Sequence, residues 1–221
     1  MKKIIAFVPV KLNNERLPGK NTKNFFNGKA LLTVFLETLI KVRGINEIYV
    51  FCSNESIVDY LVPKVKYLKR PEFLDTPQAT PQDIISEFMK IVDADIYMVA
   101  HCTSPFVTQK HFEDCINAVT SEKYDSAFTA EKVQKLFWKK NGETLNFNPE
   151  NIPRTQELEP LFAEVSAAYV FTKEVFTKLH RRIGTNPCIV EVNGIESVDI
   201  DRETDFIIAD AIYKKLICHE E

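Results

Sequence analysis

The chain has 221 residues, 45% of them hydrophobic, 27% charged and 11% aromatic, with a formal net charge of −3. At roughly 100–200 residues per domain this is one large domain, long enough to bury about 70% of its unfolded surface, and the apolar fraction excludes disorder. The longest apolar run, near Ile4–Val10, is far short of the roughly 20 residues a membrane-spanning helix needs, and the slightly acidic balance argues against nucleic acid as a partner.

Ile4–Val8 is apolar on both faces, as a strand buried in a parallel sheet is, and Pro9 is expected to end it. Met1-Lys2-Lys3 before it mimics a signal peptide. However, Lys11, Asn13, Asn14 and Glu15 follow where a small-residue cleavage site would stand. A polar loop runs to about Gly28. Ala30–Val42 carries apolar residues at helical spacing, with Gly44 as its stop. Glu47–Cys52 reads as the second strand, Glu55–Leu61 as a short helix opened by Ser53-Asn54, and Val65–Lys69 as the third strand. Thr80 and Pro81 open a helix over Pro81–Val92. Ile96–Ala100 is a fourth buried strand and Thr108–Thr120 a helix. This alternation predicts an α/β fold with a mostly parallel central sheet flanked by helices. Right-handed crossovers then bring the loops after Val8, Val50 and Val99 to one edge, where open α/β sheets bind ligands.

After Tyr124 the pattern changes. Ser126–Ala130, Leu136–Lys140 and Thr144–Phe147 read as short strands, the last two joined by an Asn141-Gly142 turn. A polar loop over Asn148–Pro160 leads to a strand at Ala163–Phe171, a helix at Lys173–His180, a strand at Cys188–Val192 and a helix at Thr204–Leu216. The whole reads as a single domain over 1–221, with 129–165 as an inserted arm. Cys52, Cys102, Cys115, Cys188 and Cys218 are odd in number and lack CxxC spacing, so they read as reduced thiols of a cytoplasmic protein.

The net charge conceals an asymmetry. Residues 11–29 contain Lys11, Arg16, Lys20, Lys23 and Lys29 against Glu15 alone, a local +4, so the remainder carries −7. A basic, Gly19-containing loop directly after a strand can cradle a phosphate on backbone N–H groups and neutralise it with lysine and arginine. It lacks both the GxxxxGK[ST] and the GxGxxG spacing. Asp199 and Asp201, read as i and i+2 of a strand end, would present two carboxylates together, a pair that a cation such as Mg²⁺ relieves. The competing reading is that one of these acids caps the helix that follows. His101-Cys102-Thr103-Ser104-Pro105 directly follows the fourth strand and so lies at the ligand edge. Zinc is excluded by the absence of further ligands at suitable spacing, and a serine triad by the absence of a GxSxG elbow.

Several segments in order resemble the acylneuraminate cytidylyltransferases, the CMP-sugar synthetases. The opening, Val8-Pro9-Val10-Lys11 through Arg16-Leu17-Pro18-Gly19-Lys20-Asn21, is similar to the family's I-P-A-R-x-x-S-x-R-L-P-G-K-N. Arg70-Pro71-Glu72 resembles its R-P-E, His101–Pro105 its Q-P-T-S-P, and Tyr124–Phe128 its Y-D-S-V-F. Pro153-Arg154-Thr155-Gln156 looks like its R-R-Q, and Asp199-Ile200-Asp201 with Asp205 like its D-I-D end. The resemblance runs from residue 4 to about 215. It implies a Rossmann-like nucleotide-diphospho-sugar transferase fold with a dimerisation arm. It also implies Mg²⁺-dependent transfer of CMP from CTP to an anionic 2-keto-3-deoxy sugar acid of the sialic or nonulosonic acid type, with release of pyrophosphate. By match, Pro9, Lys11, Asn13, Arg16, Lys20 and Asn21 would bind the nucleotide, with Arg16, Lys20 and Asp201 catalytic and Asp199 and Asp201 holding Mg²⁺. His101, Thr103, Ser104, Arg154, Gln156, Glu164 and Tyr169 would face the sugar. A homodimer, with neither nucleic acid nor membrane as partner, is expected.

The departures fall mainly on the sugar half. Lys11 stands for the family's arginine and loses its bidentate fork, His101-Cys102 stands for Gln-Pro, and Thr155 for the second arginine of R-R-Q. Two other readings follow from these positions. One is a nucleotidyltransferase of the 3-deoxy-manno-octulosonate type, whose opening also reads R-L-P-G-K. The other is a non-catalytic nucleotide-binding protein that has lost the sugar site. Cys102 at the ligand edge is expected to react with thiol probes in competition with substrate.

Overall fold

The computed structural model describes residues 2–217, so Cys218 lies outside the described residues. Seven strands form one sheet: β1 (Ile4–Val10), β2 (Glu47–Cys52), β3 (Val65–Lys69), β4 (Ile96–Ala100), β5 (Ser126–Val133), β6 (Leu161–Thr172) and β7 (Pro187–Val192). Their order is β3-β2-β1-β4-β6-β5-β7, and only β6 runs antiparallel to its neighbours. The helices are α1 (Leu31–Leu39), α2 (Pro81–Ile91), α3 (Gln109–Thr120), α4 (Lys173–Leu179) and α5 (Glu203–Ile217). The expected α/β architecture is therefore present.

Each face of the sheet has its own core. Ala6, Val8 and Met98 pack with Leu36, Phe35 and Phe112 on one side. Phe7, Phe51, Tyr97 and Phe171 pack with Phe88 of α2 on the other, where Phe7 and Phe88 stack with ring centroids 3.9 Å apart. A strand buried on both faces must be apolar throughout, which is why Ile4–Val8 shows no alternation.

Pro9 does not end β1. The strand continues to Val10, with Pro9 opposite Phe51. Pairing with β4 stops at Phe7–Val99, so beyond that point β1 has a neighbour on one side only. The missing proline N–H then costs no ladder hydrogen bond on the free side. The helix expected to reach Val42 stops at Leu39. The chain tightens there, with Val42 N–H donating to Leu39 O at 3.2 Å, before Gly44 turns it at a φ of 91°.

The segment between β5 and β6 leaves and re-enters the sheet at the same edge. A parallel neighbour would need a crossover, so β6 is antiparallel. Residues 129–133 and 161–165 belong to β5 and β6, and the excursion itself covers 134–160. The two strands expected over 136–147 reduce to one bridge, Trp138–Thr144, around a Gly142 turn with φ 87°. An isolated ribbon without a third strand gains too little to extend its pairing.

Because six strands run one way and β6 the other, the loops after β1, β2, β3, β4, β5 and β7 all meet at one edge. A third, smaller core lies there. It joins Leu17 of the basic loop, Ile200 of the Asp-Ile-Asp segment, and Phe25, Leu31 and Phe206. Ile200 is fully buried, and burying a side chain of that size stabilises by about 1.5–3 kcal/mol. That contact draws two segments nearly the length of the chain apart into one site.

Candidate active site

The basic loop turns at Gly19, whose φ of 67° is in the left-handed region that glycine adopts without strain. Lys20 N–H then donates to Leu17 O at 3.1 Å and Thr22 N–H to Gly19 O at 3.0 Å, giving one turn of 3-10 helix over Lys20–Thr22. With Leu17 buried beside Ile200, the flanking cations face Asp201. Arg16 Nη1 lies 2.8 Å from Asp201 Oδ2, and Lys20 Nζ donates to Asp201 Oδ1 at 3.0 Å. Asn21 closes the loop by donating from Nδ2 to Lys11 O at 2.8 Å. The result is a cleft of about 310 Å³ whose polar wall includes Lys11, Asn14, Arg16, Lys20 and Asp201. A second cleft of about 600 Å³ shares Glu15 and Pro77 with it and is lined by Asn13, Ser53 and Asp75. Pro9 lies inside β1, just before the loop.

Asp199-Ile200-Asp201 is not a strand. Its alternation survives because Ile200 is anchored in the core and its N–H donates to Thr103 O at 2.8 Å. Asp199 is exposed and Asp201 half-buried on either side of it. Asp205 accepts from Asp201 N–H at 3.0 Å and Arg202 N–H at 2.7 Å, so it braces the loop that presents Asp201 and opens α5. Among the described residues no three His, Cys, Asp or Glu side chains form a metal cluster. Two carboxylates are nonetheless a fitting protein share for Mg²⁺, which takes its remaining ligands from water and substrate phosphates.

The 101–104 segment joins the parts of the site. Cys102 Sγ donates to Asn21 Oδ1 at 3.3 Å, tying it to the basic loop, and Thr103 O holds Ile200. His101 N–H donates to Ala167 O at 3.1 Å, and its ring meets Tyr169 edge-on with centroids 6.2 Å apart. His101 Nε2 and Ser104 Oγ are buried without a partner. Burial, followed by the nearby charges of Arg182 and Lys20, lowers the His101 pKa to about 4. The folded protein then binds fewer protons than the unfolded chain between about pH 4 and pH 6.5, so stability is lost as pH falls through that window. Melting temperatures recorded across it should fall more steeply for the wild type than for His101→Gln. Equal slopes would remove His101 as the cause. Cys102 corrects an expectation: burial pushes its thiol up to about 12, so it is protonated and shielded rather than a ready target for thiol probes.

On the far side of His101, Tyr169 Oη donates to Glu164 Oε2 at 2.7 Å. Five residues of regular strand would separate these side chains by roughly 17 Å and put them on opposite faces. A bulge changes this. Phe128 pairs with Tyr169 but Ala130 pairs with Glu164, so β6 carries extra residues opposite Thr129. The buried Thr129 hydroxyl fills the gap, donating to Val165 O at 2.6 Å and accepting from Ala168 N–H at 3.3 Å. Arg154 and Gln156 stand apart. Both are exposed in the arm, and among the described residues no hydrogen bond or ion pair joins them to His101 or Tyr169.

Two features were not read from the sequence, and a third, Arg70 of the Arg70-Pro71-Glu72 segment, gains its partner only in the fold. Arg182 Cζ sits 3.5 Å from the centre of the Tyr169 ring. Glu196, 2% exposed, accepts from Thr108 N–H and Asn193, pairs with His111, and so fixes the turn before Asp199 against α3. Arg70, also 2% exposed, pairs with Asp75, which Ser53 also contacts, beneath the larger cleft. The Arg181-Arg182 dyad was visible as charge, and only the fold gives it a place. Among the described residues no helix is long and apolar enough to cross a membrane.

Residues 5–206 match the family model described as Cytidylyltransferase. N-acylneuraminate cytidylyltransferase A of Danio rerio is 25% identical over 216 residues, covering 94% of this chain and 50% of that protein. N-acylneuraminate cytidylyltransferase of Streptococcus agalactiae serotype V is 23% identical over 215 residues, covering 93% and 52%. The chain thus spans about half the length of these curated relatives. 3-Deoxy-manno-octulosonate cytidylyltransferase 2 of Hydrogenovibrio crunogenus is 25% identical over 174 residues, covering 70% and 68%. The fold is shared with a solved CMP:2-keto-3-deoxy-manno-octonic acid synthetase complexed with CTP, at TM-score 0.71, 18% identity and coverage of 96% and 99%. It is also shared with 4-diphosphocytidyl-2C-methyl-D-erythritol synthase of Anaerococcus prevotii, at TM-score 0.70, 16% identity and 96% coverage of both chains. A match over nearly the whole sheet, including the basic loop and the Asp-Ile-Asp segment, means that this chain belongs to the cytidylyltransferase family.

Proposed function

We propose that the protein transfers CMP from CTP to an anionic 2-keto-3-deoxy sugar acid of the sialic or nonulosonic acid type and releases pyrophosphate. The observation that carries this reading is the carboxylate of Asp201 held between Arg16 and Lys20 in the cleft at the strand ends. Without nucleotide the site neutralises itself. When a triphosphate enters, both cations have a better partner and Asp201 is released. The acceptor hydroxyl oxygen attacks the α-phosphorus and loses its proton to water, the bond to the β-phosphate oxygen breaks, and pyrophosphate carries away the electron pair. Charge grows on phosphate oxygens during this step, so positioning and fixed positive charge do most of the work. Lys20, with its side chain only 11% exposed, is the pre-placed charge nearest the cleft floor, and the more exposed Arg16 follows the outer phosphates. Asp199 and Asp201 would hold Mg²⁺, which supplies charge neutralisation and orients phosphate oxygens when bound. Asn13 and the larger cleft have room for the nucleoside.

The arm supports a homodimer, because Trp138, Leu145 and Ile152 are exposed on it and Leu161 and Phe162 are exposed where β6 begins. In such a dimer Arg154 and Gln156 would serve the partner's sugar site rather than their own. An acceptor of the 3-deoxy-manno-octulosonate type is the second reading, supported by the sequence likeness to a 3-deoxy-manno-octulosonate cytidylyltransferase. The test is pyrophosphate release with CTP, Mg²⁺ and a panel of 2-keto-3-deoxy sugar acids, including both acceptor types. Release with one acid well above the others is expected. Absence of release with every acid, despite CTP binding, would refute the reading.

A further inference from the structure

Arg182 is absent from every motif that identified the chain, yet it is built into the sugar side. His180 takes a left-handed conformation with φ 52° and ends α4, turning the chain back over the sheet. The two arginines that follow then differ in use. Arg181 Nη2 donates to Gly184 O at 3.1 Å, within its own loop. Arg182 instead lays its guanidinium on the Tyr169 ring at 3.5 Å. A contact this close holds the guanidinium over the ring, and the N–H edges of the fork are engaged only by a long ion pair from Nη2 to Glu164. Among the described residues Arg182 donates no hydrogen bond. Its nearest carboxylate, Glu164 Oε2, is 3.7 Å from Nη2 and is already taken by Tyr169 Oη at 2.7 Å. The side chain is 24% exposed, so its donors are partly shielded from water yet reachable. His101, with a buried unpartnered ring nitrogen, packs on the same tyrosine, and Lys20 acts electrostatically on His101 from the phosphate side.

We propose that Arg182, stacked on Tyr169, binds the carboxylate of the acceptor sugar acid and sets the preference for an acidic acceptor. This rests on the nucleotidyl-transfer reading above. Planar bidentate recognition of a carboxylate is what a fixed guanidinium does best. Glu164 positions the tyrosine that carries the stack and repels a carboxylate placed on its own side, which directs the acceptor to the open edge of Arg182. The Tyr169–His101 contact then leads from that edge toward Lys20.

The test uses Arg182→Gln and Arg182→Lys with a panel of 2-keto-3-deoxy sugar acids and their methyl esters. Arg182→Gln should raise the acceptor KM roughly tenfold to a hundredfold, the worth of a charge-assisted hydrogen bond. The KM for CTP should stay within about twofold, and the preference for acid over ester should disappear. Arg182→Lys should restore part of that preference. An unchanged acceptor KM, or an acid preference that survives in Arg182→Gln, overturns the assignment while wild-type turnover keeps the broader reading standing. If the wild type binds CTP but releases no pyrophosphate with any acid, the broader reading falls and Arg182's role with it.

Discussion

Lys20→Ala is expected to lower turnover by about two to three orders of magnitude, the loss seen when one pre-placed donor to developing charge is removed. The effect on CTP affinity should be much smaller. Arg16 keeps its 2.8 Å pairing geometry, and Lys11 still lines the cleft. The loop itself should survive, because its turn depends on backbone bonds from Lys20 N–H and Thr22 N–H and on Gly19, none of which need the lysine side chain. Lys20→Met, which preserves the packing of the long stem, should be equally inactive. Steady-state kinetics beside direct CTP binding separates the two effects. A variant that loses CTP affinity and turnover in equal measure would mean that Lys20 serves binding alone, and full activity would remove it from the chemistry.

Asp201→Asn should abolish most Mg²⁺-dependent turnover, by roughly a hundredfold or more if the lost carboxylate held several kcal/mol of charge stabilisation. The same change frees Arg16 and Lys20 from their shared partner. CTP without Mg²⁺ should therefore bind Asp201→Asn at least as tightly as the wild type. The apo variant should melt at lower temperature, because Lys20 is largely buried and loses its counter-charge. CTP should restore part of that loss by mass action. Asp199→Asn should shift the Mg²⁺ requirement with a smaller effect on melting, since Asp199 is exposed and, among the described residues, forms no ion pair with Arg16 or Lys20. Magnesium titrations and calorimetry on both variants read these outcomes. Wild-type Mg²⁺ dependence in Asp201→Asn would eliminate it as a metal ligand.

The strands and helices before Tyr124 were readable because their signals are local: apolar runs for buried strands, helical spacing, and Thr80 as N-cap in front of Pro81, where the structure adds a capping box with Asp83. Boundaries failed where a neighbour decided them. Pro9 stays in β1 only because β4 has stopped pairing there, and 136–147 is barely a ribbon because no third strand covers it. The arm's residues illustrate the same limit, since Arg154 and Gln156 have the right chemistry but no partner within their own chain's site.

The amino-acid sequence by itself determined the α/β alternation, the basic loop with Gly19 in it, and the residue types of each site segment, because these depend on residue type and short-range spacing. Tertiary structure alone decided which charges meet. Burial of Leu17 against Ile200 sets Arg16 and Lys20 on Asp201, a pairing across 181 residues for Lys20 that no local pattern encodes. The bulge opposite Thr129 brings Glu164 to Tyr169 against the ordinary geometry of a strand, and the turn at His180 lays Arg182 on that ring. The local +4 of residues 11–29 marked the segment as an anion-site candidate, and packing supplied the carboxylate that holds two of those charges in place.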